Sequence, residues 1–122
     1  MQRREVRKHI MIIGPQGSGK TALAREMASK EGEFVHCDIS VVNTMLFELL
    51  SRKPKTVIVE GSPADLKLPS LVERSSQVRL KHRDGSFTML DRPHFIFCCD
   101  ELAANGCPKP HLLDIITLRG TQ

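Results

Sequence analysis

The stretch His9-Ile10-Met11-Ile12-Ile13-Gly14-Pro15-Gln16-Gly17-Ser18-Gly19-Lys20-Thr21 organises everything around it. Its first part, His9 to Ile13, is a short apolar run rich in β-branched residues, the signature of a buried strand. Gly14 ends that run. Lys20 to Glu31 then reads as a helix, with Leu23, Met27 and Ala28 on one face and Gly32 as the stop. Between strand and helix, Gly14, Gly19, Lys20 and Thr21 satisfy the spacing G-x-x-x-x-G-K-[ST]. On average residue usage, chance produces that spacing in well under about one per cent of chains this short. The glycines at 14, 17 and 19 let the backbone curl with its amide hydrogens inward, forming an anion-holding nest. The helix beginning near Lys20 adds its positive dipole end. The competing structural reading is an ordinary glycine-rich strand-to-helix turn.

Outward from this unit, further apolar runs follow. Phe34 to Cys37 reads as a second strand, and Asp38 or Ser40 can cap a second helix. Val41, Val42, Met45, Leu46, Leu49 and Leu50 give that helix a wide apolar stripe, and Lys53-Pro54 ends it. Thr56 to Val59 is a third buried strand, closed by Glu60-Gly61. Ser62-Pro63 starts one or two short helices before Ser75. Apolar alternation at Val78 and Leu80, and again at Phe87 and Met89, flanks Asp84-Gly85, a hairpin signal. His94 to Cys99 is a fourth core strand, 105–110 a loop, and Leu112 to Leu118 a fifth strand. Strands interleaved with helices argue for an α/β fold: three layers, a mostly parallel five-stranded sheet and an inserted β-hairpin. With 122 residues and no linker or repeat, residues 1–122 read as a single domain.

Composition narrows the classes. Hydrophobic residues are 40% and charged residues 26%, the balance of a globular chain. Trp and Tyr are absent, so the core is aliphatic with five Phe. Cys37, Cys98, Cys99 and Cys107 lack C-x-x-C spacing and read as reduced packing thiols rather than a zinc site. No apolar run reaches the roughly 18 residues of a membrane span, which points to a cytoplasmic chain with no membrane partner. The net charge of +4 is compatible with an anionic partner. His36 and His111 read as strand-edge residues, Asp38 as a helix cap, and Arg92 as a contact for nucleotide or solvent.

The glycine-rich pattern is that of P-loop nucleotide-binding proteins. It implies that Gly14, Pro15, Gln16, Gly17, Ser18, Gly19, Lys20, Thr21 and Ala22 bind ATP or another nucleoside triphosphate. Lys20 would reach the β- and γ-phosphates, and the Thr21 hydroxyl would hold Mg2+. Such chemistry also needs an acid on a nearby strand. Glu60 is one candidate and Asp100-Glu101 the other; local pattern favours the second, strand order the first. From about Arg7 to Leu118 the layout resembles the P-loop ATPases of the AAA+ and superfamily 3 helicase type. In those families the strand after the Walker B strand lies between it and the P-loop strand and ends in a polar sensor, usually Asn. Here Arg92 to Leu102 matches that strand, which puts Asp100 at the sensor position with Glu101 after it. The resemblance makes Glu60 the Mg2+ carboxylate and Lys20, Glu60, Asp100 and Glu101 the catalytic set. The chain departs from the families in three ways. Glu60 is followed by Gly61 rather than a second acid, residues 103–111 contain no Arg to serve as a finger, and the helical lid is missing. The resemblance therefore implies a bare core that works as a homo-oligomer or with a partner subunit supplying the finger.

Basic residues Arg79, Lys81, His82 and Arg83 fall on the hairpin. A hairpin in this place grips DNA in superfamily 3 helicases, so DNA or RNA is an expected partner; the alternative is charge that blunts an exposed edge. The functional expectation is Mg-dependent ATP hydrolysis. The alternatives are a nucleotide-binding module with little turnover, a small-molecule kinase, and a DNA-binding protein with an incidental glycine loop.

Overall fold

A computed structural model of the chain describes residues 8–100 and 112–119. Its main sheet has five strands: β1 (His9–Ile13), β2 (Phe34–Asp38), β3 (Thr56–Glu60), β6 (His94–Cys99) and β7 (Leu113–Thr117). Their spatial order is β2-β3-β6-β1-β7, and every adjacent pair is parallel. Two further strands, β4 (Gln77–Lys81) and β5 (Phe87–Asp91), pair antiparallel as a separate ribbon. The fold is therefore α/β, with a five-stranded parallel sheet and a two-stranded antiparallel one.

The sequence explains which strands are central. β1, β3 and β6 are near-continuous apolar runs because both of their faces are covered, and every residue of β1 and β6 is buried. On one face Ile10, Ile12, Ile58, Ile96 and Cys98 pack against Ala24 and Ala28 of helix α1 (Lys20–Ser29). On the other, Met11, Ile13, Val57, Val59, Phe95, Phe97 and Cys99 meet Val42, Leu49, Leu50, Leu71, Val72 and Val78. Burying each large side chain of these layers contributes roughly 1.5–3 kcal/mol. Neighbouring Cys98 and Cys99 thus serve opposite faces, as period-two alternation requires.

Some boundaries differ from expectation. α1 ends at Ser29, which leaves Glu31 beyond it to accept from Thr56 Oγ1 at 2.8 Å and to meet the His94 ring at 3.1 Å. The expected second helix is two short ones, α2 (Ile39–Thr44) and α3 (Leu46–Ser51), broken at Met45. The Thr44 hydroxyl donates to the Ser40 carbonyl at 2.7 Å, a back-bond that bends helices, and the bend lets Val42, Leu49 and Leu50 all reach the core. The Asp38 side chain caps α2, accepting from Ser40 N at 3.0 Å. That bond holds the Asp38 carboxyl below its ordinary range. After β3 the chain makes two 3-10 turns, Pro63–Asp65 and Pro69–Val72, before the ribbon. Among the described residues no helix is long and apolar enough to cross a membrane. The expected loop at 105–110, Cys107 and His111 lie outside the described residues.

Candidate functional site

Parallel strands leave their carboxyl ends on one edge of the sheet, and the loops that follow converge there. β1 leads into 14–19 and α1, β3 into Gly61 and Ser62, and β6 into Asp100. These ends line a cleft of about 670 Å3, walled by Gln16, Gly17, Gly19, Lys20, Thr21, Ala22, Glu60, Gly61, Ser62, Asp65, Cys98, Cys99 and Asp100. The glycine loop, Glu60 and Asp100, far apart in the sequence, thus face one space. Glu101 lies outside the described residues.

The loop is curled by Gly17 and Gly19, whose φ values of 82° and 91° lie in the left-handed region. Gly19 caps α1 without a side-chain hydrogen bond, and no acidic residue stands in the first turn. The amide hydrogens that open a helix have no intrahelical acceptor, so this end offers donors and a positive dipole to an anion. Lys20 folds back over its own loop, donating to the carbonyls of Gly14 at 2.6 Å and Pro15 at 3.1 Å. Its ammonium stands 3.8 Å from the Asp100 carboxylate, which is itself 86% exposed. The Ser18 hydroxyl oxygen is buried within the loop with no hydrogen-bond partner.

Opposite the loop, Glu60 ends β3. The Thr21 hydroxyl donates to Glu60 Oε1 at 2.8 Å, and His36 Nε2 lies 2.8 Å from the same oxygen. His36 Nδ1 is 3.0 Å from the Arg25 guanidinium, a group that only donates. Nδ1 must therefore accept, so Nε2 carries the proton and donates to Glu60. His36, read from the sequence as a strand-edge residue, lies on the edge strand β2 and reaches Glu60 from outside the residues that line the cleft. The parallel register of β2 on β3 sets His36 beside Ile58 and Asp38 beside Glu60, so His36 lies two residues short of the Glu60 level and on the same face of its strand as Asp38. No sequence signal carried that register. Asp65 was also missed; the signal available was the Ser62-Pro63 turn, which returns the chain to the cleft soon after Glu60.

The Thr21 hydroxyl and the Glu60 carboxylate are hard oxygen donors of the kind that suit a small divalent cation. No group of three or more His, Cys, Asp or Glu side chains converges as a metal cage among the described residues. Two of the thiols, Cys98 and Cys37, are held in their protonated form. Burial pushes Cys98 up to about 12, with the Glu60 carboxylate adding to the shift and Lys20 opposing it. Burial and Asp38 push Cys37 up to about 11.

Arg92, expected to contact nucleotide or solvent, does neither. It is buried, and it donates through Nε to the Ser75 carbonyl, through Nη1 to Ser70 and Leu71 carbonyls, and through Nη2 to Gln77 carbonyl and Ser75 Oγ, at 2.6–2.9 Å. On the ribbon, Arg79, Lys81 and Arg83 are exposed, and the Arg79 guanidinium stacks 3.6 Å over the Phe87 ring. His82 is half-buried, hydrogen-bonded to Thr88 and edge-on to Phe47 at 5.6 Å. None of Arg79, Lys81, His82 and Arg83 lines the cleft. No protein-family model matches the chain, and no curated protein matches it.

Proposed function

We propose that the chain is a P-loop nucleoside triphosphatase core of the AAA+ and superfamily 3 type, binding Mg-ATP in this cleft and hydrolysing it. The observation that carries the reading is the joint placement of three parts. A glycine loop with Lys20 and Thr21 links β1 to α1, Glu60 ends β3, and β6 lies between β1 and β3. That strand order is the one the family resemblance requires, and it supports Glu60 over Asp100-Glu101 as the Mg2+ carboxylate. The loop amides and the α1 dipole would cradle the phosphates, and Lys20 would leave its own carbonyls for the β- and γ-oxygens. Mg2+ held by Thr21 and Glu60 would neutralise charge that builds on the phosphates. His36 would keep Glu60 turned toward Thr21.

A reading with little turnover draws on one observation: a single Glu60 oxygen accepts both Thr21 and His36, and β3 offers no second acid. The hairpin cations Arg79, Lys81 and Arg83 support nucleic acid as the partner that the hydrolysis acts on, through phosphate contacts. The test is phosphate release from Mg-ATP, with and without single-stranded DNA, for wild type and Lys20→Ala. Release that DNA stimulates and Lys20→Ala abolishes is expected. A wild-type chain whose melting temperature rises with Mg-ATP but that releases no phosphate is a binding module instead. Consumption that rises only with a small hydroxyl acceptor would mark a kinase.

A further inference from the structure

We infer that Asp65 is a catalytic residue of this cleft: the carboxylate that takes the proton from the attacking water. The inference rests on the hydrolase reading above. That reading needs an acid to hold the cation and a second to orient water, and β3 ends in Glu60 followed by glycine. Three described carboxylates line the cleft: Glu60, Asp65 and Asp100. Glu60 is engaged by Thr21 and His36, and Asp100 pairs with Lys20. Among the described residues, the Asp65 side chain has neither a hydrogen bond nor an ion pair.

Its backbone, in contrast, is held from both sides. Asp65 N donates to the Ser62 carbonyl at 2.9 Å, and the Ser62 hydroxyl accepts from Ala64 N at 3.1 Å. Asn43 of α2 donates from Nδ2 to the Asp65 carbonyl at 2.9 Å and accepts from Lys67 N at 2.8 Å. Pro63 and Leu66, on either side, are buried. Asp65 thus presents an exposed, unpartnered carboxylate on a clamped turn of the cleft that Glu60 also lines, open to a water bound there. The step balances without a further reactant. The water oxygen bonds to the terminal phosphorus as the bond from phosphorus to the bridging oxygen breaks. That electron pair leaves on the nucleoside diphosphate, and the water proton passes to Asp65 and then to solvent.

The experiment compares wild type, Asp65→Asn and Lys20→Ala in two readouts, the melting shift with Mg-ATP and steady-state phosphate release. Asp65→Asn is expected to keep the wild-type melting shift and a KM within about threefold, while kcat falls about 100-fold. Retention of kcat within about threefold overturns the inference. So does a variant whose KM rises while kcat holds, because that pattern marks substrate binding alone. If wild type shows the melting shift but releases no phosphate, the base assignment fails and the nucleotide site stands. If Mg-ATP moves neither wild type nor Lys20→Ala, the nucleotide reading itself fails.

Discussion

His36 sits between Arg25, which can only donate, and a Glu60 oxygen that can only accept while ionised. The ring holds one oxygen of a carboxylate that also faces the cleft. On the reading proposed above, in which Glu60 holds the cation, removing such a partner behind the ligand typically costs 10–100-fold in metal affinity. His36→Ala is therefore expected to raise the Mg2+ concentration needed for half-maximal phosphate release by about tenfold or more, with the melting temperature of the unliganded chain little changed. A second histidine acts on stability. His9 is fully buried, accepting from Phe95 N at 3.0 Å and meeting the Glu73 carbonyl at 2.9 Å. Burial lowers its pKa from 6.5 to about 4, against the raising effect of Glu73, with His94 and Arg92 lowering it further. Between those two values the unfolded chain binds the proton that the folded chain refuses. Stability is thus fully present above about pH 6.5 and falls as pH drops toward 4, by about 3 kcal/mol at 1.36 kcal/mol per unit. Urea unfolding at intervals across that window should show the loss, and His9→Gln should flatten it.

At the scale of elements, Arg92 ties the segment between β3 and the ribbon to the ribbon's first strand, while Leu71 and Val72 of that segment reach the core. That segment is mostly 3-10 turn and coil, and one guanidinium collects its Ser70, Leu71 and Ser75 carbonyls together with that of Gln77, the first residue of β4. Lysine has fewer donors and no fork, so Arg92→Lys leaves buried carbonyls without partners. The substitution is expected to cost about 3 kcal/mol in urea unfolding. Hydrogen exchange should rise first across 69–77 while β1 and β6 stay protected. The elements themselves were largely legible in the sequence. β1, β3 and β6 read as strands because burial on both faces demands unbroken apolar runs, and β4 and β5 read as a hairpin because one face is wet. The break at Met45 was not legible, because one apolar stripe serves a straight helix and a bent pair equally well. His36, Asp65 and Arg92 escaped for a common reason. Each owes its place to register or to a turn that brings distant residues together, and local pattern carries neither.

At the scale of the whole molecule, the chain's net charge of +4 is partly displayed on the ribbon, where Arg79, Lys81 and Arg83 stand exposed away from the cleft. Three phosphate contacts to a single strand predict a slope of about −2 for the logarithm of affinity against the logarithm of salt. Anisotropy of a labelled single-stranded oligonucleotide should show affinity falling about 20-fold from about 50 to about 200 mM salt. A Lys81→Ala, Arg83→Ala double variant should flatten that slope to about −0.7. An affinity indifferent to salt would mean that the ribbon does not read phosphates. The sheet order has a consequence of another kind. Of the described strands β1 is made first, yet its two neighbours, β6 and β7, are made after all the others. At about 5–20 residues per second, a nascent chain carries the Gly14–Thr21 segment for on the order of ten seconds before either flank exists. The apolar run of β1 stays unpaired on the ribosome for that time, a natural client for a chaperone.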